Sequence, residues 1–219
     1  MKKFKLIVST MLFLTIATVA QDATQKSVTK LYIATFNRAP DKAGLDYWVD
    51  VSKFSLENIA MSFFDQPETK EKYPTGYSTV DFINAIYSNL FKRTPDQKGG
   101  DYWQKELDSG SFSKSLFILA VLNGAKDGDA DILENKTEVG LAFINGGFSN
   151  VDNAKDIMKD ITSDKSTVTT ALNTIKTYTN TSDTELPTID TTPTTEKPTT
   201  TPTTQTKGEK EEKDDLPTF

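Results

Sequence analysis

One phrase occurs twice in this chain of 219 residues. Residues 37–48 read NRAPDKAGLDYW, and residues 92–103 read KRTPDQKGGDYW. The copies agree at Arg38/Arg93, Pro40/Pro95, Asp41/Asp96, Asp46/Asp101, Tyr47/Tyr102 and Trp48/Trp103, all at one constant offset. Arg38 and Arg93 are the only arginines, and Trp48 and Trp103 the only tryptophans. A phrase repeated with its rarest residues in register means that the chain builds one local shape twice.

The residues before each copy show what that shape joins. VTKLYIATF places Val28, Leu31, Tyr32, Thr35 and Phe36 on one helical stripe, and FINAIYSNLF repeats it with Phe82, Ile83, Ile86, Tyr87, Leu90 and Phe91. Ser78 to Asp81 resembles a capping box ahead of the second helix. A proline disfavours the helical region for its predecessor, so each helix ends before Pro40 or Pro95. Arg38 and Arg93 are then expected near the helix C-terminus, where a cation meets exposed carbonyls. Asp41 and Asp96 follow as N-caps of a new helix. Asp46 and Asp101 fall about a turn later and are the expected acceptors for a planar guanidinium fork, which lysine cannot supply. Gly44 and Gly99 inside the new helix predict a close approach there. Trp48 and Trp103 are expected in the core, with sugar stacking as the competing reading.

Later segments keep the helical period. Leu56, Ile59, Ala60, Phe63 and Phe64 form one stripe, and Leu116, Phe117, Leu119, Ala120 and Leu122 form its expected counterpart. Val139 to Phe143, Ala154 to Ile161 and Val168 to Ile175 continue it, and no stretch alternates with period two. The expectation is an all-α, compact helical domain at residues 21–180. It comprises repeats at 27–78 and 79–125 and a helical extension at 126–180.

The ends are of other material. MKKFKLIVSTMLFLTIATVAQ has basic residues, a short apolar run and a small-x-small site before Gln21, as a cleaved signal peptide at 1–20 would. Without it the formal charge of −6 becomes −9. That balance argues against nucleic acid, whose phosphates need clustered cations. Residues 181–219 are rich in Thr and Pro and then acidic, a composition that predicts a disordered spacer. No second run is long and apolar enough to span a bilayer.

With no histidine and no cysteine, the chain lacks histidine triads, thiol nucleophiles and ordinary zinc sites. Glu57, Glu106, Asp41 and Asp96 could in principle pair as a glycosidase does, but any acidic helical protein offers such pairs. Asp127, Asp129, Asp131 and Glu134 alternate in a glycine-containing stretch that suits a calcium ion. The competing expectation is a solvated loop feeding an acid-rich first helical turn.

LYIATFNRAPDKAGLDYWV and its second copy resemble the bacterial family called domain of unknown function 4214. The downstream LNGAKDGDADILENKTEVGLAF is similar to that family's later segment, with Asn135, Lys136, Val139 and Gly140 in the matching places. The resemblance runs from Ser27 to Phe143. It implies a secreted or surface protein, related to modules fused to calcium-binding repeats or found in S-layer proteins, one of which attaches to surface polysaccharide. The motif is also similar to helical linker domains of phycobilisome rods. It supplies no catalytic residue, and the glycine-rich calcium-binding nonapeptides are absent from this chain. The expectation is a secreted, non-enzymatic module, periplasmic or on the cell surface. It would bind envelope polysaccharide or an envelope protein. The alternatives are a helical scaffold joining protein subunits and, further off, a glycan-acting enzyme.

Overall fold

The computed structural model describes residues 24–178, and every regular element among them is helical. The expected signal segment and Thr/Pro tail lie outside the described residues. The helices are α1 (Gln25–Phe36), α2 (Lys42–Asp46), α3 (Leu56–Phe63), α4 (Pro67–Lys72), α5 (Thr79–Phe91), α6 (Gln97–Asp108), α7 (Lys114–Gly124), α8 (Asp127–Asn145), α9 (Val151–Asp156) and α10 (Lys165–Ile175). α2 runs directly into a π-helical turn, Tyr47–Val51, that the sequence does not signal. No helix among the described residues is long and apolar enough to cross a membrane.

Side-chain caps start most of these helices. Asp41 Oδ1 accepts from the Gly44 amide at 2.7 Å, and Asp96 Oδ1 from Gly99 at 2.8 Å, as expected of N-caps. Ser78 accepts from the Asp81 amide, but its hydroxyl donates to the Asp81 carboxylate, so the reciprocal arm is side chain to side chain. The full capping box is at Thr24 and Ser27, ahead of α1. α1 and α5 end at Phe36 and Phe91, each with a left-handed residue next, Asn37 at φ 57° and Lys92 at φ 58°. The prolines come after this turn, so each arginine stands beyond its helix rather than in its last turn.

α1 is the central helix, touching α3, α4, α5, α7 and α8. Val28, Leu31, Ile33 and Ala34 are fully buried in it, which takes in both its faces. α7 corrects one stripe. Its buried apolar positions are Phe117, Ile118 and Val121, while Leu116, Leu119, Ala120 and Leu122 are partly exposed. That helix is apolar all round, so periodicity cannot select its inner face.

A close approach occurs at Gly140, in the middle of α8. A Cβ there would stand 2.8 Å from Thr29 Cγ2 of α1, with Met158 Cε at 3.5 Å and Pro40 Cδ at 3.9 Å. Beside this crossing, the Ala39 amide donates to the Ala154 carbonyl at 3.0 Å. The first repeat is thereby covered by α8 and α9.

Buried polar groups tie the helix ends together. The carbonyls of Ala34 and Thr35 accept from Asn89 Nδ2 (2.9 Å) and the Tyr73 hydroxyl (2.9 Å). Lys72 Nζ reaches the Phe36 carbonyl at 3.3 Å. These groups supply what the last turn of α1 leaves unsatisfied. The Asn89 carbonyl in turn accepts from the ammonium of Lys136, a fully buried lysine of α8. Burial, and then the charge of Lys92, push Lys136 down to about 7. Asn135 beside it donates to the Thr162 carbonyl at 2.8 Å, joining α8 to the segment before α10.

Two predictions follow from this packing. Gly140→Ala should destabilise the protein by about 1–3 kcal/mol, because backbone faces a packed side chain. Adding Thr29→Ser removes the clashing methyl, and urea midpoints should show the double variant regaining part of the loss. Lys136 has a folded value below its unfolded one, so the unfolded chain binds more protons between about pH 7 and the ordinary lysine range. Its contribution to stability therefore rises with pH there, with a slope approaching ~1.4 kcal/mol per pH unit. Tyr32 and Tyr73, raised by burial, act in the opposite sense above the ordinary tyrosine value of 10.0. The urea midpoint should climb from about pH 7 to 9.5 in the native protein and stay flatter in Lys136→Met. Equal profiles would overturn this reading.

Candidate functional site

Each repeat closes around its arginine in the same way. Arg38 donates from Nε to Glu68 Oε1 at 2.9 Å, from one terminal nitrogen to Glu68 Oε2 at 2.8 Å, and from the other to the Ala39 carbonyl at 3.0 Å. Arg93 donates to Asp129 Oδ1 at 3.1 Å, to Asp129 Oδ2 at 2.5 Å and to the Thr94 carbonyl at 2.9 Å. The fork is bidentate in both copies, a geometry only a guanidinium provides. Each guanidinium also lies over two rings of the preceding helix. Arg38 is 5.1 Å from the Tyr32 centroid and 5.4 Å from Phe36, and Arg93 is 5.4 Å from Tyr87 and 5.8 Å from Phe91.

The expected partners Asp46 and Asp101 are not the acceptors. Asp46 takes Lys42 Nζ at 2.5 Å, and Asp101 takes Gln97 Nε2 at 2.7 Å, both one helical turn away on their own helices. Glu68 and Asp129 hold the fork instead, from the first turns of α4 and α8, where the helix dipole favours acids. Nothing in the local phrase marks these two residues. Their signal is an acid just past a helix start, which is common in any helical chain.

The tryptophans seal the inner side of each cage. Trp48 stands against Phe63 at 5.5 Å, and Trp103 stands against Phe117 at 5.0 Å. Both are buried. Burial raises the Tyr32 phenol, with the Asp41 charge adding to it. Burial also works against the Arg38 charge, but the hydrogen bonds and charge of Glu68 outweigh it and hold the guanidinium above its ordinary value.

The two cages then diverge. Around the first, which Gln66, Pro67 and Glu68 line together with the aromatic rings, only about 20 Å³ remains. Around the second lies an open cleft of about 530 Å³. Tyr87, Phe91, Tyr102, Trp103 and Phe112 contribute aromatic walls, Ala120 and Val121 a flat aliphatic floor, and Arg93, Asp96, Lys126 and Asp127 a charged rim. The cause is chain length. Arg38 and Glu68 are 30 residues apart, whereas Arg93 and Asp129 are 36 apart. α3 has 8 residues and α7 has 11, which carries the start of α8 roughly 4–5 Å further along the helix axis. The side chain of Arg93 is 47% exposed against 5% for Arg38.

The acidic stretch proposed for calcium is helix, not loop. Asp127 and Asp129 occupy the first turn of α8, Asp129 is bound to Arg93, and Glu134 pairs with Lys26 at 2.7 Å. Asp127, Asp129, Asp131 and Glu134 therefore do not converge. No group of three or more acidic side chains placed to hold a metal occurs among the described residues. The second of the two expected readings, an acid-rich first helical turn, describes this segment.

The family model for a domain of unknown function, DUF4214, matches residues 60–126. That span contains the second copy of the phrase and most of its cleft, while the first copy lies outside it. No curated protein and no solved structure matches the chain.

The asymmetry between the copies sets a test. Arg38→Ala leaves Glu68 without its partner in a nearly closed site and should cost about 3–5 kcal/mol. The same change at half-exposed Arg93 should cost about 1 kcal/mol or less. Chemical denaturation of the two variants measures the difference directly.

Proposed function

Taking residues 60–126 as a DUF4214 domain, we propose that the protein is a secreted, non-enzymatic binding module of the bacterial envelope. In this reading the open cage of the second repeat is its recognition site and the first repeat is its structural support. The observation that carries the reading is the contrast between about 20 Å³ and about 530 Å³ in two cages built on the same repeated phrase. A cleft of the second size, with apolar walls and a few polar groups at its edge, has the dimensions and chemistry of a ligand site. The half-buried Tyr102 ring offers a flat face to the apolar side of a sugar ring, and the carboxylates of Asp96 and Asp127 can accept from sugar hydroxyls. Surface polysaccharide is therefore the proposed ligand, in keeping with the signal-like residues 1–20 and the spacer-like composition of 181–219. Calcium has no part in the reading, because the carboxylates that suggested it stand apart.

A protein partner inserting an apolar side chain is the second reading, favoured by the aliphatic floor at Ala120 and Val121. Co-sedimentation with purified envelope polysaccharide separates the two. The native chain should sediment with polysaccharide, and Tyr102→Ala should weaken binding by about tenfold, the loss of one aromatic contact. Ala120→Phe, which fills the cleft without opening a cavity elsewhere, should abolish it. Trp48→Phe, in the closed cage, should bind as the native protein does. No sedimentation of the native chain would sink the polysaccharide reading and leave the protein partner.

A further inference from the structure

The joint of each repeat has a second side, away from its aromatic cage. In the first repeat that side is covered. α8 crosses it at Gly140, where a Cβ would stand 2.8 Å from Thr29 Cγ2 and 3.9 Å from Pro40 Cδ, and the Ala39 amide donates to the Ala154 carbonyl. Thr29, Ala39 and Leu45 are fully buried there. At the constant offset of the repeat their places are taken by Asn84, Thr94 and Gly100. Thr94 is exposed, and Asn84 and Gly100 are half-buried. Among the described residues nothing accepts from the Thr94 amide. On this side of the second joint lies a cleft of about 310 Å³.

The lining of this cleft is polar where the first repeat is packed. Val80, Ile83 and Pro95 give it an apolar patch, and the carboxamides of Asn84, Gln97 and Gln104 surround that patch. Gln97 Nε2 donates to Asp101 Oδ1 at 2.7 Å, but among the described residues the amides of Asn84 and Gln104 have no partner. A carboxamide donates and accepts at once, as a sugar hydroxyl does, so the two match each other in either sense. The only charged lining residues are the acids Asp96 and Asp101, which disfavours an anionic ligand.

Gly100 adds an independent sign. A glycine inside a helix weakens it, and here no neighbour demands one. The nearest atom to a Cβ at this position would be Pro95 Cγ at 3.5 Å, an ordinary contact, so alanine would fit. What the missing side chain leaves is open space in the cleft. Asp96 links this cleft to the aromatic one, because it lines both. Its Oδ1 caps α6 through the Gly99 amide, so the two clefts meet at the N-terminal end of that helix.

We propose that the cleft at Asn84, Gly100 and Gln104 is a second sugar subsite, so that one polysaccharide chain lies across the start of α6 with sugars in both clefts. The ligand is then an internal stretch of a glycan built of neutral or amino sugars, rather than a single sugar or a chain end. The proposal rests on the reading of the aromatic cleft as a polysaccharide site and extends it. A volume of about 310 Å³ is at the lower end of the range for ligand pockets, roughly 300–1,000 Å³, which suits one part of a longer chain.

The test uses purified envelope polysaccharide cut by mild acid into fragments graded by length, with binding to the full chain measured by calorimetry. The native protein should bind long fragments at least about tenfold more tightly than the shortest ones it holds, since each filled subsite adds contacts. Gly100→Leu puts the residue of the first repeat into the second cleft and favours the helix. It should remove that advantage while leaving the shortest fragments bound as before, with a urea midpoint equal to the native one or higher. The double variant Asn84→Ala, Gln104→Ala keeps the cleft open and should weaken long fragments alone by about threefold to tenfold. Long-fragment affinity unchanged in both variants, or lost equally for short and long fragments, would overturn the proposal. Ala120→Phe keeps the two ideas apart. If it abolishes binding while Gly100→Leu changes nothing, the second subsite falls and the aromatic site stands. If the native chain binds no fragment of any length, both fall.

Discussion

The guanidinium of Arg38 binds three segments that are distant in the chain. Its fork fixes the first turn of α4 through Glu68, its third nitrogen holds the Ala39 carbonyl at the start of the next joint, and its face covers two rings of α1. Such a site is costly to desolvate and is stable only because every nitrogen is matched. Once it is set, the direction of the chain after α1, the place of Trp48 and the angle of α4 all follow. The same construction at Arg93, with Asp129 in place of Glu68, orients α5, α6 and the start of α8. The fold is two such clasps sharing one core, with α1 at its centre and α8 passing across both.

Much of this was legible in the residues. The period of Val28, Leu31, Tyr32 and Phe36, repeated at Phe82, Ile83, Ile86, Tyr87, Leu90 and Phe91, gives the helices their faces, and all of these residues are buried. Pro40 and Pro95 mark the joints, and Asp41 and Asp96 cap the helices after them. These are local effects, decided within a few residues of chain. The failures are where tertiary contact decides. Arg38 could have reached several acids, and the one it takes is 30 residues away, brought there by the packing of α3 and α4. Asp127 and Asp129 sit among glycines in sequence, yet a helix begins at them, where Arg93 satisfies one carboxylate and the dipole favours both. α7 is apolar on every side, and only its neighbours determine that Ile118 and Val121 face inward.

Lys136 illustrates a third kind of illegibility. A lysine in the middle of a helix reads as surface, but this one lies in the core with its head on the Asn89 carbonyl. It closes a chain of donors that runs from the end of α1 through Asn89 to the end of α5. Both helices point their unsatisfied carbonyls inward, and the buried donors are the answer to that geometry. Only the arrangement of the helices reveals the need.

The difference between the cages is set by the number of residues between two fixed points rather than by the residues at those points. Tyr, Phe, Arg, Asp and Trp are the same in both, and α7 is simply longer than α3. Shape at the cleft is thus governed by insertions and deletions in one connection, while the clasp that stabilises the fold stays untouched. A duplicated domain built this way separates two kinds of inheritance. One copy keeps the fold within bounds, and the other is left free to change what it fits by gaining or losing a fraction of a helical turn.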